Sequence, residues 1–158
     1  MSPAQSLARI REQTAKMRAI VASRDLTASV PQSAWTVSEH LDHTIKVASS
    51  TIQVLLKPEL PTLPYKMNLM GRLVLLCGWI PRGRGKAPEK LTGAHATRED
   101  LDARLTQLDA IVDRASAEPP RSDAPVLRHP AFGGLSWEQS LAFVAIHTHH
   151  HLKIIRAA

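Results

Sequence analysis

Four histidines fall within five positions near the end of the chain, His147, His149, His150 and His151, in the stretch "AIHTHHHLKII". Apolar residues with helical spacing flank the tract on both sides, in "LAFVAI" and "LKII", so it does not read as a solvent-exposed tag. A buried helix face accommodates imidazoles only if each polar nitrogen finds a hydrogen bond or a metal. The fold must therefore bring partners from another segment up against this helix. His147 and His151 are one turn apart, about 40° from each other around a helix axis, and can present two nitrogens to one point. They share a face with Ser140, Phe143, Val144 and Ile154, which turns them inward, whereas His149 falls on the opposite side and His150 on the flank.

Five segments of the chain have helical periodicity, and nothing reads as a strand. The first, about 4 to 24, places Leu7, Ile10, Met17, Ile20 and Val21 on one side. The second opens at Thr36, where "TVSE" is a capping box, and runs to about Leu56 before Pro58 stops it. The third covers about 66 to 79, ending near Gly78 with Pro81 beyond. The fourth starts at the Thr97 cap and carries a seam of Leu101, Leu105, Leu108 and Val112. The last begins at Ser136, where "SWEQ" forms another capping box, and continues nearly to the end. Loops rich in proline and glycine separate them at 57–64, 81–95 and 117–135. With 158 residues, no internal repeat and no shift of composition, the chain reads as a single domain spanning 1–158. The expected fold class is all-α, an up-down four-helix bundle of the long first, second, fourth and fifth helices with the short third as an additional element.

Composition narrows the partners. An apolar fraction of 44% and a charged fraction of 22% are those of an ordinary globular protein. The net charge is +6, yet Lys and Arg are dispersed except in "PRGRGKAPEK" at 81–90, and aromatics for base stacking are scarce, so nucleic-acid binding is not expected. Cys77 has no second cysteine to pair with and reads as a small buried hydrophobe in "LVLLCGWI". The N-terminus shows no apolar signal region, and the longest apolar run, Leu73 to Ile80, is far short of the roughly 20 residues of a spanning helix. A cytoplasmic protein without a membrane partner is expected.

Two ligands do not make a stable metal site. The second helix offers "SEHLDHTIKV", in which His40 and His43 are also close to one turn apart. His43 shares a face with Val47, Ser50 and Val54, while Leu41, Ile45, Ala48, Ile52 and Leu55 make a separate apolar stripe nearly opposite. A helix apolar on both sides is flanked on both, and the helical wheel does not choose between the two histidines.

The start Trp35-Thr36, followed by His43 in "WTVSEHLDH", together with a final helix carrying His147 and His151 one turn apart, resembles the DinB-like superfamily of four-helix metalloproteins. The stretch "HPAFGGLSWEQSLAFVAIHTHHHLKII" is similar to a branch of unestablished function in which an "HP-x-FG" turn, here His129 to Gly133, precedes the helix and a histidine, here His150, sits directly before the last ligand. The resemblance implies His43 rather than His40 as the first ligand. The site it implies is a three-histidine one made by His43, His147 and His151, with water in the remaining positions. One departure from that pattern is Ile154, where relatives often carry glutamine.

Three neutral imidazoles with an open position suit Zn²⁺, and the same set accepts Ni²⁺ or Fe²⁺. Known members of the superfamily include S-transferases that use low-molecular-weight bacterial thiols and a mycothiol-dependent isomerase. The resemblance thus implies a metal-dependent thiol transferase acting on a small molecule, with metal-assisted hydrolysis as a neighbour and homodimerisation as an expectation. The alternative is a non-catalytic metal-binding or stress-related interaction module, in which a fourth protein ligand such as His40 or His150 closes the site. A third reading, a basic interaction protein without metal, has the histidines bonded to protein and an affinity for nucleic acid that falls steeply with salt. Glu39 can accept the free ring N–H of His43, though its first-turn position favours capping. Arg82 and Arg84, with Lys86, can clamp carboxylates of a thiol or substrate, or simply form a solvated basic loop. His129 either closes over the metal or fixes the turn before Ser136, the turn being preferred, and Trp35, Trp79 and Trp137 are expected to be packing residues.

Overall fold

A computed structural model of the chain describes residues 1–31, 33–81, 88–118 and 123–156. In chain order it contains α1 (Pro3–Ser23), α2 (Val37–Leu55), α3 (Leu69–Cys77), a 3-10 turn (Glu89–Leu91), α4 (Arg98–Ala117), β1 (Leu127–His129), β2 (Gly133–Leu135) and α5 (Trp137–Arg156). All five starts are set by side chains that replace missing intrahelical partners. Ser2, Thr36 and Thr97 close reciprocal capping boxes with Gln5, Glu39 and Asp100. At α5 the Ser136 N–H donates to Gln139 Oε1 (3.0 Å) and the Gln139 N–H donates to Ser136 Oγ (3.3 Å).

α1, α2, α4 and α5 form a four-helix bundle, as the periodicity implied. α1 and α2 each pack on α4 and on α5. The core is built from residues such as Ile10, Met17, Leu41, Ile52, Leu101, Leu105, Leu108, Trp137 and Leu141, all essentially withdrawn from water. α2 resolves the puzzle of its two apolar faces by being enclosed, and thirteen of its nineteen residues are buried. Polar clasps tie it to the segment before α4. Ser38 Oγ donates to the Ala96 carbonyl (2.8 Å) and accepts the Ala96 N–H (2.9 Å). The wholly buried Asp42 carboxylate accepts the Ala94 N–H (2.8 Å) and pairs with Lys46 (2.7 Å) and Arg104. Along the α1–α4 seam, Arg18 bridges Asp102 and Asp109, and Arg11 reaches Asp113. Solvent screening makes each of those exposed pairs worth little.

Two expectations need correction. Strands are present: β1 and β2 pair antiparallel, with Leu127 opposite Leu135, Arg128 opposite Gly134 and His129 opposite Gly133. Each is three residues long, too short for an alternating pattern to register in the sequence. The segment before α3 joins them through a bridge from Met67 to Gly133 and a Phe132 carbonyl that accepts the Asn68 N–H (2.8 Å). α3 is accordingly shorter than its apolar run, because Met67 bridges to the hairpin and Asn68 caps the helix by accepting the Gly71 N–H (2.9 Å). Its outer surface is the second correction. Cys77 is exposed rather than buried, and Trp79 is 59% exposed, beside Leu69, Leu73 and Leu76 on the outward side of α3. Trp137 is a core residue, as expected. Among the described residues no helix is long and apolar enough to cross a membrane.

The hairpin can lie against the 65–68 segment only because Gly133, at φ +83°, and Gly134 lack side chains; a Cβ on Gly134 would overlap the Tyr65 carbonyl oxygen. Gly134→Ala is expected to destabilise the protein by about 2–3 kcal/mol through this backbone clash. Urea unfolding would show the loss as a lower midpoint, and an unchanged midpoint would mean that the hairpin and the 65–68 segment are not held together in solution.

Candidate metal centre

α2 and α5 lie side by side, and their facing turns carry the histidines. The Thr36 capping box sets the phase of α2 so that His40 and His43 both turn into the interior. α5 contributes His151, which is buried, and His147, one turn earlier. One ring nitrogen from each of His43, His147 and His151 lies within 4.8 Å of the others, and among the described residues this is the group that could hold a metal ion. The Nε2 atoms of His43 and His147 are 3.2 Å apart. Two nitrogens bound tetrahedrally at zinc distances would be separated by about 3.3 Å, so this edge of the site already has metal-ligand dimensions.

The tautomer of His43 follows from its other nitrogen. Nδ1 lies 2.5 Å from the Leu91 carbonyl oxygen, which only accepts, so Nδ1 carries the hydrogen and Nε2 keeps its lone pair. Leu91 sits on the 3-10 turn, and the approach of that turn to α2 depends on Gly93, where any Cβ would overlap the Glu39 carbonyl. Glu39 itself is spent on the cap: its Oε2 accepts the Thr36 N–H (2.7 Å) and hydroxyl (3.0 Å). The backbone of Leu91 therefore occupies the place beside His43 that the sequence offered to Glu39.

His40 enters the cluster from the other side. Its Nδ1 is 3.0 Å from His151 Nδ1, and its Nε2 is 2.8 Å from Ser33 Oγ. It is not one of the three convergent donors. Nor is His150, whose ring stands nearly perpendicular to that of His151 at 5.2 Å and borders a groove with Cys77, Trp79 and Lys153. His149 is half-buried rather than solvated, close to Arg9, Glu12 and Lys16 of α1.

Aromatic rings wall the site. Trp35 lies 4.9 Å from His43, 5.3 Å from His40 and 6.4 Å from His151 between ring centroids, the last nearly parallel. Its role as a wall rather than a packing residue was hidden because it belongs to the loop before α2, whose path the periodicity does not reveal. Phe143 stands 5.4 Å from His147 and 4.6 Å from His129. His129 stacks on Phe132 at 4.3 Å, and its Nδ1 accepts the Ala131 N–H (3.2 Å), which holds the turn of the hairpin. Arg82, Arg84 and Lys86 lie outside the described residues.

Burial sets the electrostatics. It pushes the imidazoles of His40 and His129 down to about 4, and it lowers His43, His147 and His151 as well; neighbouring imidazoles add to the effect on His40, His147 and His151. The rings are thus neutral at physiological pH, the form in which imidazole is a ligand. A donor set of neutral nitrogens, two of them turned toward each other, fits a borderline divalent cation.

The same shifts have a consequence for the metal-free protein. In the unfolded chain these histidines take up protons near pH 6.5, while the folded state resists protonation until lower pH. Stability is therefore complete above about pH 6.5 and falls as the pH drops toward 4. Urea midpoints measured at pH 7.5, 6 and 5 should decrease in that order, and a flat profile would show that the rings protonate in place.

No curated protein matches the sequence. Among solved structures, the crystal structure of TT2238, a four-helix bundle protein, is similar with a TM-score of 0.65 and 22% identity, covering 99% of this chain and 100% of that one. That likeness shows the fold. The sequence profile of the DinB superfamily matches residues 24–155, which include α2, α5 up to its last residue and every histidine of the cluster, and the chain belongs to the DinB superfamily.

Proposed function

We propose that this protein is a metal-dependent enzyme in which His43, His147 and His151 hold a divalent cation, zinc foremost, with nickel or iron acceptable to the same donors. The observation that carries this reading is the convergence of three neutral imidazoles from two helices, with neither a carboxylate nor a fourth protein donor in the group among the described residues. Three protein ligands are the pattern of sites that keep a position for water or substrate, whereas structural sites are closed by four. When bound, such a cation supplies Lewis acidity that brings a coordinated water or thiol toward a pKa of about 7.

The chain's own residues favour an anion at the open position. None of the three donors carries charge, so a dication keeps both of its charges in a site walled by Trp35 and Phe143. Charge in such a low-dielectric setting is compensated by an anionic partner, and a thiolate is a good one for zinc. This supports, within a superfamily that includes S-transferases using low-molecular-weight bacterial thiols, a transfer of thiol sulfur to a small electrophile. Hydrolysis is the neighbouring reaction, with water in place of the thiol. The Leu91 carbonyl and His40 orient two of the rings, and the aromatic wall limits the entry of bulk water.

Metal content of untagged protein purified without added metal, measured by mass spectrometry, tests the reading. The wild type should carry about one equivalent of zinc, nickel or iron, and His43→Ala and His147→Ala should each lose it. Loaded wild type should then consume free thiol in the presence of an electrophilic aryl halide faster than either variant. Low content in all three proteins, with no uptake on adding metal, would overturn the proposal.

A further inference from the structure

His40 is the buried imidazole that the three-ligand site leaves over. It could be a core histidine without further consequence, a fourth ligand, or a group that controls one of the three. Its contacts decide among these. His40 Nδ1 lies 3.0 Å from His151 Nδ1, and His40 Nε2 lies 2.8 Å from Ser33 Oγ. Both ring nitrogens are therefore engaged, and neither belongs to the convergent group. We propose that His40 is a positioning residue that holds His151 in the tautomer able to bind a metal through Nε2, with Ser33 as its anchor.

Hydrogen counting gives the direction of the chain. Two facing Nδ1 atoms share one hydrogen. If it resides on His151, His40 Nδ1 accepts it, His40 Nε2 carries the hydrogen that is donated to Ser33 Oγ, and His151 Nε2 keeps a lone pair. If it resides on His40, the Ser33 hydroxyl donates to His40 Nε2, and His151 carries its hydrogen on the nitrogen a metal would need. Ser33 Oγ also accepts the Trp35 N–H (3.1 Å), so the serine is already an acceptor in the loop that carries the aromatic wall. Its remaining lone pair and its O–H let it either accept from or donate to His40 Nε2, so the serine serves both arrangements. The first arrangement is the one that a cation at His151 Nε2 selects. Outer hydrogen bonds of this kind fix ligand orientation and raise ligand basicity. His43 receives the same service from the Leu91 carbonyl. His40 differs in being able to run in either direction, which makes it the point at which Ser33 can influence the ligand.

The proposal rests on the reading of a three-histidine metal site, and two measurements separate their failures. In metal-free wild type, imidazole ¹⁵N resonances should show Nδ1 of His151 protonated and Nε2 bare, and His40→Phe should yield a tautomer mixture. Zinc affinity, by competition with a chromophoric chelator, should fall about 10- to 100-fold in His40→Phe. His40→Asn, whose side-chain oxygen can accept in place of Nδ1, should recover most of the loss, and Ser33→Ala should show a smaller one. The visible spectrum of the cobalt-loaded protein should shift in His40→Phe and return in His40→Asn, a response that a purely packing role would not produce. Affinity at the wild-type level in His40→Phe would overturn the proposal, as would complete loss equal to that of His43→Ala, which would make His40 a ligand. Should the wild type bind no metal, the site reading fails, and the ¹⁵N comparison alone decides whether His40 sets the tautomer of His151.

Discussion

Four imidazole rings, His40, His43, His147 and His151, share the interior between α2 and α5, and every ring nitrogen taken from water there must meet a hydrogen, an acceptor or a cation. That requirement organises the site. His43 gives its hydrogen to a backbone carbonyl, His40 leans on a serine, and the remaining nitrogens turn toward one another. Two ring nitrogens 3.2 Å apart either share a proton or share a metal. A neutral His147 with its hydrogen on Nε2 fills the first role, at the cost of the lone pair that a cation needs, and burial keeps both rings neutral. The same desolvation that makes the cluster costly when empty makes it receptive to a cation that all three donors can satisfy at once.

The scaffold around the cluster is polar where it needs to be. The first turns of α2 alternate between two duties: Ser38 and Asp42 tie the helix to the segment before α4, while His40 and His43 face α5. The clasp at Asp42 and the bare Cα of Gly93 bring the 88–96 segment close enough for Leu91 to reach His43. The Asp42 carboxylate is paired with Lys46 and Arg104, and its pull on the neighbouring His43 imidazole is opposed by Lys46. A site whose donors are all uncharged depends on this balance, since an unpaired carboxylate beside the rings would raise their pKa values.

Besides Phe143 on α5, aromatic side chains reach the environment from segments that are not bundle helices. Trp35 arrives on the loop before α2, and Phe132 and His129 arrive on the hairpin before α5. Loops positioned by a rigid scaffold are where families vary their chemistry. The four helices and the segments between them are thus separate contributors to the site, and the likeness to a solved four-helix bundle at 22% identity concerns the fold.

Much of this was legible in the residues themselves. Capping boxes at Thr36 and Ser136 placed the helix starts, periodicity counted the helices, and the spacing of His147 and His151 put two rings on one face, because those are local properties of a chain whose helices are straight. The choice of His43 over His40 was not available from spacing, since both are buried and the difference lies in which partner each nitrogen meets. The three-residue strands, the outward face of α3 with Cys77 and Trp79, and the contact of Trp35 with three imidazoles depend on how loops cross the bundle. Residue order set the helices and the stock of imidazoles. Tertiary structure alone decided which nitrogens converge, because convergence depends on the relative position of α2 and α5, which no periodicity within either helix encodes.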